Sequence, residues 1–125
     1  LARKTPLDIG GKSLVMRLDG ERDFRVFVLG ASRRTHGRTI RKFFGARRLR
    51  FATASELFEL TGLKPGCVPP FGDPVFSLPL YVDASLTENS KIAFTAGDHE
   101  HSMILSMPDY LRVAKPTGVF SFSRI

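Results

Sequence analysis

The sequence predicts a single α+β domain built on a curled, mostly antiparallel mixed sheet with about three short helices. Three observations carry this reading. Short apolar stretches alternate in the strand period, three sites carry helix-start signals, and no linker-like or repeated segment divides the 125 residues. A chain of this length ordinarily makes one compact unit, so residues 1–125 are read as one domain.

Ser13 to Leu18 places Leu14, Met16 and Leu18 on one side of a strand. Phe24 to Leu29 puts Phe24, Val26 and Val28 on one side and Phe27 and Leu29 on the other. The polar Asp19 to Asp23 between them, with one glycine, predicts an antiparallel hairpin. Thr35 is placed to cap a helix from about Gly37 to Phe44. That helix would bury Ile40 and Phe43 or Phe44, point Arg38, Arg41 and Lys42 outward, and stop at Gly45. The Phe43-Phe44 pair beside the basic residues offers a surface for unpaired bases, but core is the expected role of such a pair. A short strand from about Arg48 to Phe51 leads to Thr53-Ala54-Ser55-Glu56, a capping box that opens a helix carrying Leu57, Phe58 and Leu60 and ending at Gly62. Between Lys64 and Pro79 stand Pro65, Pro69, Pro70, Pro74 and Pro79, which exclude a regular element and predict a stiff loop. Strands follow at Leu80 to Asp83, Lys91 to Ala96 and Ser102 to Leu105. Ser106 caps a short helix through about Val113, with Pro108 in its first turn, and Val119 to Phe122 reads as the last strand.

Composition excludes several classes. With 42% hydrophobic residues and eleven Phe the chain can fill a core, which excludes disorder. A lone Cys67 cannot form an internal disulfide, and no apolar run approaches the roughly 18 residues of a membrane span. The opening Leu1 to Gly11 lacks an apolar signal core, so a trimmed start and a cytoplasmic location are expected. The net charge of +7 is local. Arg33, Arg34, Arg38, Arg41, Lys42, Arg47, Arg48 and Arg50 fall within Ala31 to Arg50, a stretch without one of the 12 acids. Such a cluster suits a polyanion, and arginine suits phosphate because its planar guanidinium binds two oxygens at once. RNA or DNA is therefore the expected partner, with Arg33, Arg34, Arg38, Arg41, Lys42 and Arg47 as its candidate contacts.

The order of segments carries a resemblance. Gly11-Lys12-Ser13-Leu14-Val15 comes first, then Arg47 to Ala52, then Glu59 to Gly72 with its Thr-Gly-x-x-x-Gly-x-x-x-Pro run from Thr61 to Pro70, then Leu80 to Asp83 and Ala96-Gly97. Nearly the whole chain resembles the YbaK-like aminoacyl-tRNA deacylases, domains that stand alone as trans-editing proteins or are inserted in bacterial prolyl-tRNA synthetases. The resemblance implies a barrel-like mixed sheet. It implies a lysine on the first strand, Lys12, and a loop of Gly66 to Pro70, with a second loop entered at Ala96 and Gly97 as the opposite wall. The family domain usually begins with a further helical segment before the lysine strand, which is not expected in this chain. Asp98 to His101 is also more polar than the family pattern.

An aminoacyl ester is already activated, so an editing site has to hold the carbonyl, stabilise an oxyanion and place a water. Glycine at 66 and 97 permits close approach, and Pro69 and Pro70 stiffen the loop. Lys12 can neutralise the terminal phosphate or polarise the ester carbonyl. Lys12, Gly66 and Gly97 are thus the catalytic candidates. Cys67, Pro69, Pro70, His99, His101 and Ser102 are the substrate-binding candidates. Cys67 has no local base to make it a nucleophile. His99 and His101 share one face of an extended segment with only His36 elsewhere, which is too few ligands to predict a metal. Gly30-Ala31-Ser32 does not complete a nucleophile elbow, and no phosphate-binding glycine loop is present, so no cofactor is expected. The expected function is hydrolysis of mischarged tRNA, of the prolyl type carrying Ala, Cys, Ser or Thr, with prolyl-tRNA synthetase a candidate partner. The rival is a non-catalytic RNA-binding or regulatory module of the same fold.

Overall fold

The computed structural model describes residues 9–98 and 100–125. Strands β1 (Gly11–Arg17) and β2 (Phe24–Gly30) form the expected hairpin, in register from Gly11 opposite Gly30 to Arg17 opposite Phe24. Its turn is closed by the Leu18 N–H donating to the Asp23 carbonyl at 3.0 Å. After β3 (Arg34–Thr35) come α1 (Gly37–Phe44), β4 (Arg50–Phe51) and α2 (Ala54–Thr61). The proline-rich segment then runs without helix or strand to β5 (Leu80–Asp83). Next are β6 (Lys91–Thr95), β7 (Ser102–Ser106), α3 (Met107–Ala114), β8 (Gly118–Phe120) and β9 (Ser123–Arg124).

Five strands make the main sheet in the order β4-β1-β2-β5-β8. The fold class is the α+β mixed sheet with three helices that the sequence predicts. Pairing is antiparallel on the β1 side, while β2–β5 and β5–β8 are parallel. Parallel neighbours need long crossovers, and here both connections carry helices. The sheet is open: β4 and β8 are its edges, and the β6–β7 hairpin is joined to it by a parallel bridge between Ala93 and Gly10, just before β1. The last expected strand divides. Phe120 ends β8, and Ser123 and Arg124 pair instead with β3 in a separate two-stranded ladder.

Alternation along β2 feeds both faces, as its sequence requires of a central strand. Val26 and Val28 join Val15, Leu80, Val82 and Leu57 in one cluster, and Phe27 and Leu29 join Met16, Tyr81, Ile40 and Phe122 in another. Helix α1 covers the second face through Ile40. Its N-cap is His36 rather than Thr35, because Thr35 is held in β3 opposite Ser123. Gly45 closes it at a φ of 64°, where a side chain would be strained. Phe44 packs on the second cluster, but Phe43 is 55% exposed, so the expectation that both rings are core holds only for Phe44. Helix α2 opens on the expected capping box, Glu56 N–H to Thr53 Oγ1 at 3.1 Å and Thr53 N–H to Glu56 Oε1 at 2.9 Å. Arg50 also clasps the Glu56 carboxylate, and together these donors hold its pKa at about 2. Ser106 caps α3 as expected.

One buried carboxylate ties the end of the chain to the sheet. Asp83, 1% exposed, accepts from the N–H groups of Phe122 and Ser123 at 2.8 and 3.1 Å, from the Ser123 hydroxyl at 2.7 Å, and from the Ser85 hydroxyl. Burial pushes its pKa up, and these hydrogen bonds, led by Ser85 and Ser123, overcome that and leave it below the ordinary aspartate value.

Candidate active site

Strand β1 is fully paired with β2 on one side only. On the other, β4 reaches Met16 and Arg17, and the segment before β1 meets β6 at Gly10. The strand edge between these contacts has no strand neighbour among the described residues. The Ala52 N–H donates to the Val15 carbonyl at 2.8 Å, so strand alternation turns the N–H and C=O of Ser13 toward the same gap. A pocket of about 200 Å³ occupies it, lined by Ser13, Leu14, Phe51, Leu57, Pro65 and Gly66 among others. That volume is below the usual range for whole small-molecule ligands and suits a fragment the size of a small aminoacyl group. A larger concavity, about 770 Å³, lies elsewhere, between Arg25, Tyr81, Lys115 and the Asp73-to-Leu80 stretch. It contains none of the candidate catalytic residues, so the smaller pocket is the better site.

The loop and the hairpin meet at this pocket. Gly66, exposed and at a φ of 83°, accepts at its carbonyl from the Thr95 hydroxyl at 3.2 Å. Ser102 is directly opposite Thr95 in the β6–β7 ladder, so its side chain shares that face. Beneath the loop, the buried Tyr110 hydroxyl donates to the Pro70 carbonyl at 2.7 Å, and burial raises the pKa of that phenol. Pro70 is itself buried, so this bond fixes the end of the Gly66-to-Pro70 segment. Gly97, at a φ of 99°, has open space where a Cβ would stand and sits in the turn after β6.

The remaining candidates are distributed more widely. Lys12 stands opposite Leu29, and alternation puts it on the face of Leu14 and Met16, one residue from the Ser13 edge. Cys67 is 4% exposed and is not among the residues lining the pocket; its N–H donates to the Lys64 carbonyl. Pro69 is half-buried. His99 lies outside the described residues. His101 is exposed, and its Nδ1 sits 2.8 Å from the Asp98 carboxylate. The same carboxylate accepts the N–H groups of Glu100 and His101 at 2.8 Å each. The imidazole contact and these two bonds hold the Asp98 pKa below the ordinary value. The unexpected polarity of Asp98 to His101 is thus explained in part by the turn it builds.

Of the basic residues, Arg33 is spent internally: Nε donates to the Ser123 hydroxyl at 2.6 Å, and the guanidinium stands 4.0 Å from Asp83. Arg34, Arg38, Lys42 and Arg47 are exposed and Arg41 half-buried, and none has a side-chain partner among the described residues. Asp19 accepts the N–H groups of Arg47 and Arg48 and so fixes the turn that presents them. Sequence reasoning missed Ser13, Thr95 and Tyr110. Ser13 directly follows Lys12 and Thr95 precedes Ala96-Gly97, so a wider window around each motif would have included both. Nothing local marks Tyr110, whose partner is 40 residues away. Among the described residues no helix is long and apolar enough to cross a membrane.

Residues 2–113 match the family described as the aminoacyl-tRNA editing domain. Over 117 residues the chain is 35% identical to the Multifunctional Ser/Thr-tRNA deacylase ProXp-y of Escherichia coli (strain K12), covering 91% of this chain and 70% of that protein. Among solved structures, a protein described as a trans-editing enzyme for prolyl tRNA synthetase superimposes with a TM-score of 0.77 at 26% identity, covering 93% of this chain and 71% of the other. The hypothetical protein APE2540 gives 0.75 at 23% identity over 93% of this chain and 75% of its own, a likeness of fold alone.

Proposed function

This chain belongs to the aminoacyl-tRNA editing domain family, and from that premise we propose that it clears mischarged tRNA by hydrolysing the aminoacyl ester at the β1 pocket. It is an aminoacyl-tRNA hydrolase, and we read its 125 residues as one editing unit. The observation that supports the site is the unpaired edge at Ser13 facing the Gly66 loop across a cavity of aminoacyl size. Water adds through its oxygen to the ester carbonyl carbon, and the carbonyl π pair moves onto oxygen. The tetrahedral species collapses, the ribose oxygen leaves with the bonding pair and takes up a proton, and free amino acid and tRNA result. Backbone N–H groups at the strand edge suit the oxyanion, and Lys12 suits the terminal phosphate or the carbonyl oxygen. No step calls on a cofactor.

Serine and threonine lead the substrate list, since the E. coli relative is named for them. One feature of this chain favours a hydroxyl-bearing side chain: the Ser13 hydroxyl is buried and lacks a hydrogen-bond partner among the described residues. Alanine and cysteine on tRNA-Pro, with prolyl-tRNA synthetase as partner, remain the further candidates. The cytoplasm, where tRNA is charged, is the compartment we assign.

Exposed Arg38 and half-buried Arg41 of α1 supply tRNA affinity in this reading. Replacing Arg38 and Arg41 together by alanine is expected to weaken tRNA binding and to flatten the slope of log affinity against log salt by about two. Titrations from low to physiological salt check it. An unchanged slope would take both residues out of the interface.

A further inference from the structure

We propose that Phe43 is a stacking platform for one unpaired base of the bound RNA. Its place on α1 sets it apart from its neighbour. Helical spacing directs Ile40 and Phe44 inward, whereas Phe43 falls on the flank toward β8 and remains 55% exposed. A lone exposed phenylalanine on a helix is free to swing. This one is pinned on its inner face by Phe120, with ring centroids 3.8 Å apart and planes 8° from parallel, and at its edge by Phe44 at 4.9 Å. Phe120 in turn packs on Phe122 and Tyr81 in the second cluster. The exposed ring is therefore the outermost member of an aromatic stack rooted in the core, preorganised to receive one more flat ring.

The surroundings point to a nucleotide. Lys42 and Arg38 are exposed on the same helix, and Arg47 and Arg48 follow its C-cap. A second observation is independent of the helix: Arg34 and Arg124, both exposed, are directly opposed cross-strand partners in the β3–β9 ladder. Like charges so placed repel, and neither has a carboxylate partner among the described residues. An anion between them removes that penalty. An exposed aromatic ring on a helix that also carries exposed Arg38 and Lys42 matches the chemistry of single-stranded RNA, where bases stack on side chains and phosphates meet cations. A second copy of this chain, carrying the same positive face, matches it poorly.

The assignment rests on reading the arginine-rich face as RNA-binding, and the test separates the two. A minihelix RNA with a single-stranded 3′ end is compared with the same minihelix made blunt. Phe43→Leu should weaken binding of the overhang RNA about tenfold, leave the salt slope unchanged, and scarcely affect the blunt RNA. The protein has no tryptophan, so Phe43→Trp provides a single reporter that keeps a stacking ring. Its fluorescence should be quenched by the overhang RNA and not by the blunt one. Equal affinity of Phe43→Leu and native protein for the overhang, or no quenching in the Trp variant, overturns the platform and leaves the RNA face standing. Failure of the native protein to bind either RNA overturns both. A native dimer that Phe43→Leu converts to monomer in sedimentation overturns the platform in favour of a second copy.

Discussion

Lys12→Ala is expected to slow single-turnover hydrolysis of a mischarged tRNA about a hundredfold while leaving tRNA affinity within about twofold. The physical case is one of position. Lys12 is half-buried on β1, flanks the unpaired Ser13 edge, and has no hydrogen bond or ion pair among the described residues. Lys12 does not itself line the pocket, so in the proposed mechanism its ammonium, free of any carboxylate among the described residues, reaches the carbonyl oxygen of the ester around the strand edge. Its contribution should be felt mainly as charge develops on the carbonyl oxygen, so the loss belongs in the rate and not in binding. Rapid quench at enzyme excess, paired with equilibrium binding, separates the two. Unchanged hydrolysis would remove Lys12 from the mechanism and leave the strand-edge backbone to carry the oxyanion. Loss of affinity alone would make Lys12 a phosphate anchor.

The largest stability effect is expected at Asp83. Alanine there leaves the N–H groups of Phe122 and Ser123 and the hydroxyls of Ser85 and Ser123 without their acceptor, in a place water does not reach. It also leaves Arg33 without its nearby carboxylate. A loss of about 3–5 kcal/mol is expected, with a fall in Tm of about 10 °C or more, measured by denaturant and thermal unfolding. The pH dependence follows from the lowered pKa. The unfolded chain takes up a proton on this carboxylate at a higher pH than the folded one, so the contribution is complete above the ordinary aspartate pKa of about 4. It is lost as pH falls through the lower folded value. Native protein should therefore destabilise steeply below about pH 4 and the variant less so. Parallel acid profiles would contradict this account of Asp83. The same carboxylate holds Arg33, which is why we expect that arginine to matter for folding more than for RNA.

Local chemistry was legible where neighbours in sequence decide it. The β1–β2 alternation, the Thr53–Glu56 box, the Ser106 cap, and the proline-rich segment without strand or helix all lie within a few residues of their cause. Long-range partners were not legible. Nothing near Leu80 states that it will pair parallel with Val26, and nothing near Thr35 states that Ser123 will draw it into a ladder and leave the helix cap to His36. The same distinction applies at the site. Lys12, Gly66 and Gly97 were proposed from an ordered set of motifs, and of these only Gly66 lines the pocket, which exists because β4 and β6 stop short of each other along β1. Phe43 and Phe44 read alike as adjacent rings, and the packing of Phe44 on Phe27 and Tyr81 decides which joins the core.

Deacylation at enzyme excess of tRNAs charged with Ser, Thr, Ala, Cys and Pro, with and without chelator, tests the central claim most directly. Rapid release of Ser or Thr, with Pro-tRNA spared and chelator without effect, is the predicted result. No release of any amino acid by a protein that still binds tRNA would contradict it, and would leave a binding module that keeps the fold without its chemistry.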